Sequence, residues 1–316
     1  MVQARFEHLT LADHGDRSGP ASVDPARLPP VTLAVERLRF GARSLGRLDL
    51  ETRPMNGGMA VRRLDLSGGS FRVKAVGEWR LATAADAPSA AHRSQFEIDM
   101  TSSDFGRTLA DFGFTDGLRA ADLRADITAR WQGPPFAFAL DILEGAMALE
   151  VGKGSVLQVD PGAGRMFGLL SFSALPRRLS GDFADVSDQG FAFDAITGDF
   201  DLRRGVARTL NLVMEGPAAR VEIAGEVNLR EQTYDQDMVI VPRVSNTLPV
   251  AGVVAGGLGL GAALLLVQQL LGEPLNQIVR QRFRVTGPWA DPVVTPVLPP
   301  PPPSDADDFG PELRDP

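Results

Sequence analysis

Three histidines, His8, His14 and His92, are the side chains of this 316-residue chain best suited to proton transfer near neutrality. His8 and His14 lie in a polar stretch punctuated by Gly and Pro, and His92 lies in an Ala/Ser/Pro run that reads as a loop. A general base or metal ligand needs packed neighbours to hold it, so all three read as solvated loop histidines. Cysteine is absent, which removes disulfides, thiolate metal sites and cysteine nucleophiles. Asp182, Asp185 and Asp188 recur every third residue, but the glycine and terminal glutamate of a calcium loop are missing, so they read as a turn. The glycines between 256 and 261 sit inside an apolar run rather than between a strand and a helix, which is not a phosphate cradle. No catalytic residues, metal or cofactor follow from these patterns. The chain reads as a non-enzyme.

The elements behind these residues are more informative. Hydrophobic residues make up 44% and charged residues 23%, enough apolar content for a substantial core. The net charge of −8 argues against nucleic acid as a partner. The basic residues are nearly all arginine, with Lys74 and Lys153 the only lysines. Residues 1–30 read as an irregular opening. From Val31 onward apolar and polar residues alternate, first over 31–36, then at 48–50, 64–66, 71–73, 96–100, 123–131 and 136–140. The alternation returns at 191–193, 200–202, 210–212, 221–223 and 227–229, with Gly-rich turn signals such as Gly57-Gly58 and Arg204-Gly205 between runs. Short strands joined this way predict an antiparallel, mainly β domain over 31–247, a curled sheet or open groove of hairpin repeats.

Two short helices interrupt it. The first covers about 104–112, with Phe105, Leu109 and Phe112 on one face and Ser103 as N-cap. The second covers about 163–175 and stops at Pro176. Arg177 and Arg178 follow it, either capping the helix end or holding a lipid phosphate.

Residues 248–267 are twenty in a row without a charge. As a helix they would span about 30 Å, the thickness of a hydrocarbon core. Gly252/Gly256 and Gly257/Gly261 give the small-xxx-small spacing of helices packed in lipid. An amphipathic stretch over 275–283 completes an apolar helical hairpin within a segment 248–284 that is expected to contact a membrane. Its contact residues are Val250, Val254, Leu258, Leu264, Leu265 and Leu266, with Arg280 and Arg282 near anionic head groups. The alternative is a buried hairpin capping the β structure. Residues 285–316 are expected to hold a terminal strand and a disordered Pro-rich tail. Residues 1–10 lack the apolar run of a signal peptide, so either the chain is the C-terminal portion of a longer one or its start lies elsewhere.

Several strings occur in order: Phe105 to Gly117 (FGRTLADFGFTDG), Trp131 to Phe136 (WQGPPF), Gly162 to Phe172 (GAGRMFGLLSF), Leu175 to Leu179 (LPRRL), Asp182 to Asp185 (DFAD) and Gly190 to Asp194 (GFAFD). Together they resemble the C-terminal region of the large AsmA-like envelope proteins, in the YhdP branch, over roughly residues 31–297. The resemblance implies a role in Gram-negative envelope integrity and in moving phospholipid between inner and outer membranes. It implies a periplasm-facing β groove belonging to a longer chain anchored in the inner membrane, and it supplies no catalytic residues.

The expected function is therefore shielding of phospholipid acyl chains. Exposing a tail of about sixteen carbons to water costs on the order of 13 kcal/mol at ~0.8 per methylene. The candidate lining residues are Phe96, Ile98, Phe136, Phe138, Phe191 and Phe193, followed by Phe200, Leu202, Leu212, Val221 and Ile223. Alternation alone does not distinguish such a lining from an ordinary filled core. The partners are phospholipid, a membrane and other envelope proteins. The rival reading is a non-catalytic, membrane-tethered β scaffold. A glycan-binding sandwich and an outer-membrane barrel are poorly served by one Tyr and three Trp.

Overall fold

Period-two alternation sends every second side chain to the same face, and a chain that repeats it can bury that face by folding back strand upon strand. The computed structural model describes residues 1–11, 23–82, 92–111, 118–119, 122–138, 140–156, 191–243, 280–289 and 291–297. The chain forms β1 (Val2–Leu11), β2 (Val31–Phe40), β3 (Arg43–Met55), β4 (Gly58–Ser67), β5 (Phe71–Leu81) and β6 (His92–Ser102). Helix α1 (Phe105–Asp111), β7 (Leu118–Arg119), β8 (Leu123–Gln132), β9 (Glu144–Val151), β10 (Gly154–Val156) and β11 (Phe191–Phe193) follow. The rest is β12 (Ala195–Arg203), β13 (Val206–Glu215), β14 (Ala219–Asn228), β15 (Thr233–Pro242), β16 (Gln281–Pro288) and β17 (Val293–Val297).

Fourteen strands make one sheet in chain order, skipping only β7, β10 and β11, which pair with one another in a small second sheet. Within the large sheet β1 and β2 run parallel and the later neighbours run antiparallel. The sheet is not closed into a barrel: β1 and β17 are its edges. β17 is a short edge carrying Pro296, features that discourage further pairing.

The sheet has two distinct ends. At one, the helix end, β6 finishes at Ser102 and α1 begins. Asp104 caps the helix, its Oδ1 accepting from the Arg107 amide at 2.9 Å, while Ser102 Oγ accepts from the Asp104 amide at 3.0 Å. Ser102 Oγ lies 2.8 Å from Thr108 Oγ1, Thr108 donates to Ser70 Oγ at 2.9 Å, and Ser70 donates to Asp111 Oδ2 at 2.9 Å. This relay ties α1 to the β4–β5 turn and satisfies three buried hydroxyls.

Several local expectations change. Residues 2–11 are not irregular but form β1; Val2, Ala4 and Phe6 alternate with Gln3, Arg5 and Glu7, and β2 provides the partner. Asp104 rather than Ser103 caps α1. His92 is not a solvated loop residue: it opens β6, is buried, and its Nδ1 accepts from Trp79 Nε1 at 3.3 Å. The expected strand over 136–140 is instead two 3-10 turns, Pro135–Ala137 and Leu140–Ile142. Pro134 and Pro135 have no N–H to give to a ladder, and Pro135 suits the first position of a helical turn. The stretch expected to be amphipathic over 275–283 is already strand from Gln281, because Phe283 and Val285 alternate with Arg282 and Arg284 at period two. The expected helix at 163–175, the Asp182–Asp188 turn, Arg177 and Arg178, and residues 248–279 lie outside the described residues.

Two outcomes follow for stability. Phe200→Ala, at a side chain only 2% exposed, should lower unfolding free energy by about 3–5 kcal/mol in a urea titration, whereas Leu210→Ala, 71% exposed, should change it by less than about 0.5 kcal/mol. Thr108→Val, which interrupts the hydroxyl relay, should cost about 1–3 kcal/mol and speed amide exchange in α1 more than in β12–β16.

Candidate functional site

Strand pairing lines up the apolar residues in rows that run across the strands. One row passes through Leu33, Leu50, Leu64, Ala75, Ile98, Ile127, Met147 and Phe200, each opposite the next. The neighbouring row passes through Val35, Leu48, Leu66, Val73, Met100, Ala125 and Leu149, ending at Gly198. Seven strand spacings of ~4.8 Å give each row a length of about 34 Å. A third row nearer the other end of the sheet takes in Phe96, Ala129, Gly145, Leu202, Ala207, Val227 and Tyr234. Gly145 belongs there because a Cβ would lie 1.8 Å from the Thr128 carbonyl oxygen.

Burial changes along the rows. In the first, Leu33, Leu50, Leu64, Ile98, Ile127 and Met147 keep part of their surface in water, while Phe200 is sealed. From β12 to β16 the face is closed: Ile196, Leu212, Met214, Val221, Ile223, Met238, Ile240 and Val285 are fully buried. The burial of Tyr234 pushes its phenol well above its ordinary pKa, so it stays neutral.

The opposite face is wet and zwitterionic. Residues i and i+2 pair along single strands, as in Arg47–Asp49 at 3.0 Å, Arg53–Glu51 at 2.9 Å, Arg63–Asp65 at 2.9 Å, Arg80–Glu78 at 2.7 Å and Arg203–Asp201 at 2.7 Å. Such pairs contribute only about 0–1 kcal/mol each, but they keep that face in water. The hydrogen bond from Arg47 holds the Asp49 carboxyl below its usual pKa.

The other end of the sheet is aromatic. Phe96 stacks on Trp131 at 5.4 Å, Phe138 meets Trp131 edge-on at 5.3 Å, and Phe136 meets Trp79 edge-on at 6.0 Å. Trp131 Nε1 donates to the Pro134 carbonyl at 3.0 Å, and Ser94 Oγ donates to the Gly133 carbonyl at 2.8 Å. The segment 133–138 is thereby folded over the strand ends, with Phe136 60% and Phe138 50% exposed.

The residues nominated from the sequence therefore scatter. Ile98 sits in the half-open row, and Phe96 lies in the third row under Trp131. Phe200, Leu202, Leu212, Val221 and Ile223 lie in the sealed part. Phe193 is buried in the small sheet beside β10, and Phe191 pairs with Val156 there. Phe136 and Phe138 belong to the aromatic end rather than to a strand. Arg280 and Arg282 are exposed where β16 begins, at the helix end. Val250, Val254, Leu258, Leu264, Leu265 and Leu266 lie outside the described residues.

Leu33, Leu50, Leu64, Val73 and Met100 also belong to the rows, and their signal is mutual register, which no single strand displays. Among the described residues no His/Asp/Glu cluster could hold a metal, and no helix is long and apolar enough to cross a membrane.

A family model described as YhdP protein matches residues 1–294. The intermembrane phospholipid transporter YhdP of Escherichia coli strain K12 is 27% identical over 260 residues, covering 82% of this chain and 20% of that protein. The chain thus spans about a fifth of the length of the curated relative it matches. No solved structure matches. With its model matched from the first residue to beyond β16, the chain belongs to the YhdP family of AsmA-like proteins.

Proposed function

We propose that this chain is a section of an envelope lipid-transfer protein, in which the apolar rows form a groove that shields phospholipid acyl chains. The observation that carries the reading is the pair of registered rows, partly open to solvent from β2 to β9 and backed by a charged outer face. A tail laid along these rows exchanges water for aliphatic side chains, at ~0.8 kcal/mol per methylene covered. The groove works without a catalytic group, because release requires only a competing apolar phase. The relative named as an intermembrane phospholipid transporter supports phospholipid as the cargo and a location between the two membranes of the Gram-negative envelope.

In this reading the uncharged stretch 248–267 touches a bilayer, with Arg280 and Arg282 beside it for anionic head groups. The chain leaves the sheet after Arg243 and rejoins it at Arg280, with Ile240 opposite Gln281, so that stretch is tethered at the helix end.

A second reading, a non-catalytic membrane-tethered scaffold that binds other envelope proteins, is favoured by the closed β12–β16 block, whose apolar side chains are fully buried.

A photo-crosslinking amino acid separates the two. Placed at Leu50 or Leu64 it should capture phospholipid that co-extracts with the protein, while the same group at Arg63, on the opposite face, should not. Absence of lipid at both Leu positions would leave the scaffold standing. Leu64→Glu should reduce captured lipid at Leu50 at least about tenfold, since a carboxylate in the row must stay hydrated, while costing no more than about 1–3 kcal/mol of stability at this half-open position.

A further inference from the structure

The geometry points to a phosphate-ester binding site in a cleft at the aromatic end of the sheet. The cleft measures about 560 Å³ and is bounded by the start of β6, the end of β8, the Leu140–Ile142 turn and the turns after β12 and β14. Arg93, Arg130, Arg204 and Arg230 line it, against Asp141 and Glu144. Arg130 is answered by Glu144 at 3.1 Å. Arg204 and Arg230 have no carboxylate partner among the described residues. Arg230 donates only to the Asp141 carbonyl oxygen, at 3.3 Å.

The walls are built rather than loose. The two-residue Arg204–Gly205 turn has φ of 51° and 78°, the combination that favours Asn-Gly, yet arginine occupies the first position. Gly205 packs on Asp141 so closely that a Cβ would lie 2.8 Å from its carbonyl oxygen, and the Leu229 amide donates to the Gly205 carbonyl at 2.7 Å. Both turns are thereby locked together with their arginines presented from neighbouring hairpins.

A second, independent feature points to a ligand. His92 lines the same cleft and is 95% buried. Because its Nδ1 accepts from Trp79, its proton sits on Nε2, and that buried nitrogen has no hydrogen-bond partner. Two guanidiniums without a carboxylate partner suit an oxyanion with several acceptor oxygens, and the His92 imidazole N–H lies unused in the wall beside them. Trp131 joins this cleft to the apolar face, since it lines the one and stacks on Phe96 in the other. A phospholipid, with phosphate and tail covalently joined, matches that adjacency. The identification of the source as a lipid rests on the lipid-transfer reading, whereas the phosphate chemistry does not.

The test titrates the full chain with inorganic phosphate, with glycerophosphoglycerol, and with vesicles of phosphatidylglycerol or of phosphatidylcholine. Saturable binding of a phosphate probe is expected, weakened at least about tenfold in Arg204→Gln/Arg230→Gln, whose side chains are exposed in turns, and unchanged in Arg63→Gln on the outer face. Binding by both soluble probes supports a site for free phosphate esters, and binding by phosphatidylglycerol vesicles alone supports the lipid headgroup as source. No saturable binding by any probe, or equal binding by the double variant and the wild type, overturns the site. Lipid crosslinking at Leu64 is read in parallel. Crosslinking without phosphate binding removes the cleft assignment alone, and phosphate binding without crosslinking removes the groove alone.

Discussion

Register is the constraint on which everything else in this molecule depends. A strand displaced by one residue turns its whole apolar set to the wrong face, so a sheet of fourteen strands with one apolar face demands correct pairing thirteen times over. Where the alternation in the sequence falters, the sheet absorbs the fault locally. Glu36 and Arg37 stand together between Val35 and Leu38, Arg62 and Arg63 between Val61 and Leu64, and Leu210 and Asn211 between Thr209 and Leu212. Each doublet coincides with a register shift. All six doublet residues are exposed, and the flanking residues stay on the apolar face. Bulges of this kind add twist and bend, so the positions that rescue the register also shape the face. Asn211 fixes one of them, accepting from the Asp199 amide at 2.9 Å and donating to the Asp199 carboxylate at 2.7 Å.

The uneven burial of that face follows from what an open sheet needs. A row of leucines left half in water yields less folding free energy than a sealed core, while each ordered residue still costs roughly 1–2 kcal/mol of backbone entropy. The β12–β16 block, with Phe200, Ile196, Leu212 and Ile223 sealed, supplies the excess. Hydrogen bonding through β9, β8 and β6 couples the more open strands to it. The sealed half and the open half are therefore parts of one sheet, in which a closed core is continuous with a more open apolar face.

Much of this architecture was legible in the residues. Leu48-Asp49-Leu50, Leu64-Asp65-Leu66 and Val221-Glu222-Ile223 announce strands with one apolar face, and the Gly-containing turns announce hairpins. What was not legible depends on partners distant in sequence. His92 looks like a loop residue until Trp79, thirteen positions earlier, donates to it across the β5–β6 pair. The β1 strand carries readable alternation but stands alone until β2 pairs with it in parallel. Phe136 and Phe138 alternate as a strand would, and the adjoining prolines override them. Which leucines form one row is a property of pairing between strands, and no single strand contains it.

Rows that cross the strands have a geometric consequence that rows along them would lack. Their length grows with the number of strands, by ~4.8 Å for each, so adding hairpins lengthens the apolar path without changing its width. Both ends of the strands then flank the path throughout, as two continuous rims. One rim carries α1 and the small sheet. The other carries tight turns, aromatic side chains, and Arg204 and Arg230, which have no carboxylate partner among the described residues. An amphiphile must keep its polar part wet wherever its tail is covered. In the proposed groove the polar part would lie at that rim, where Arg204 and Arg230 stand in the turns after β12 and β14.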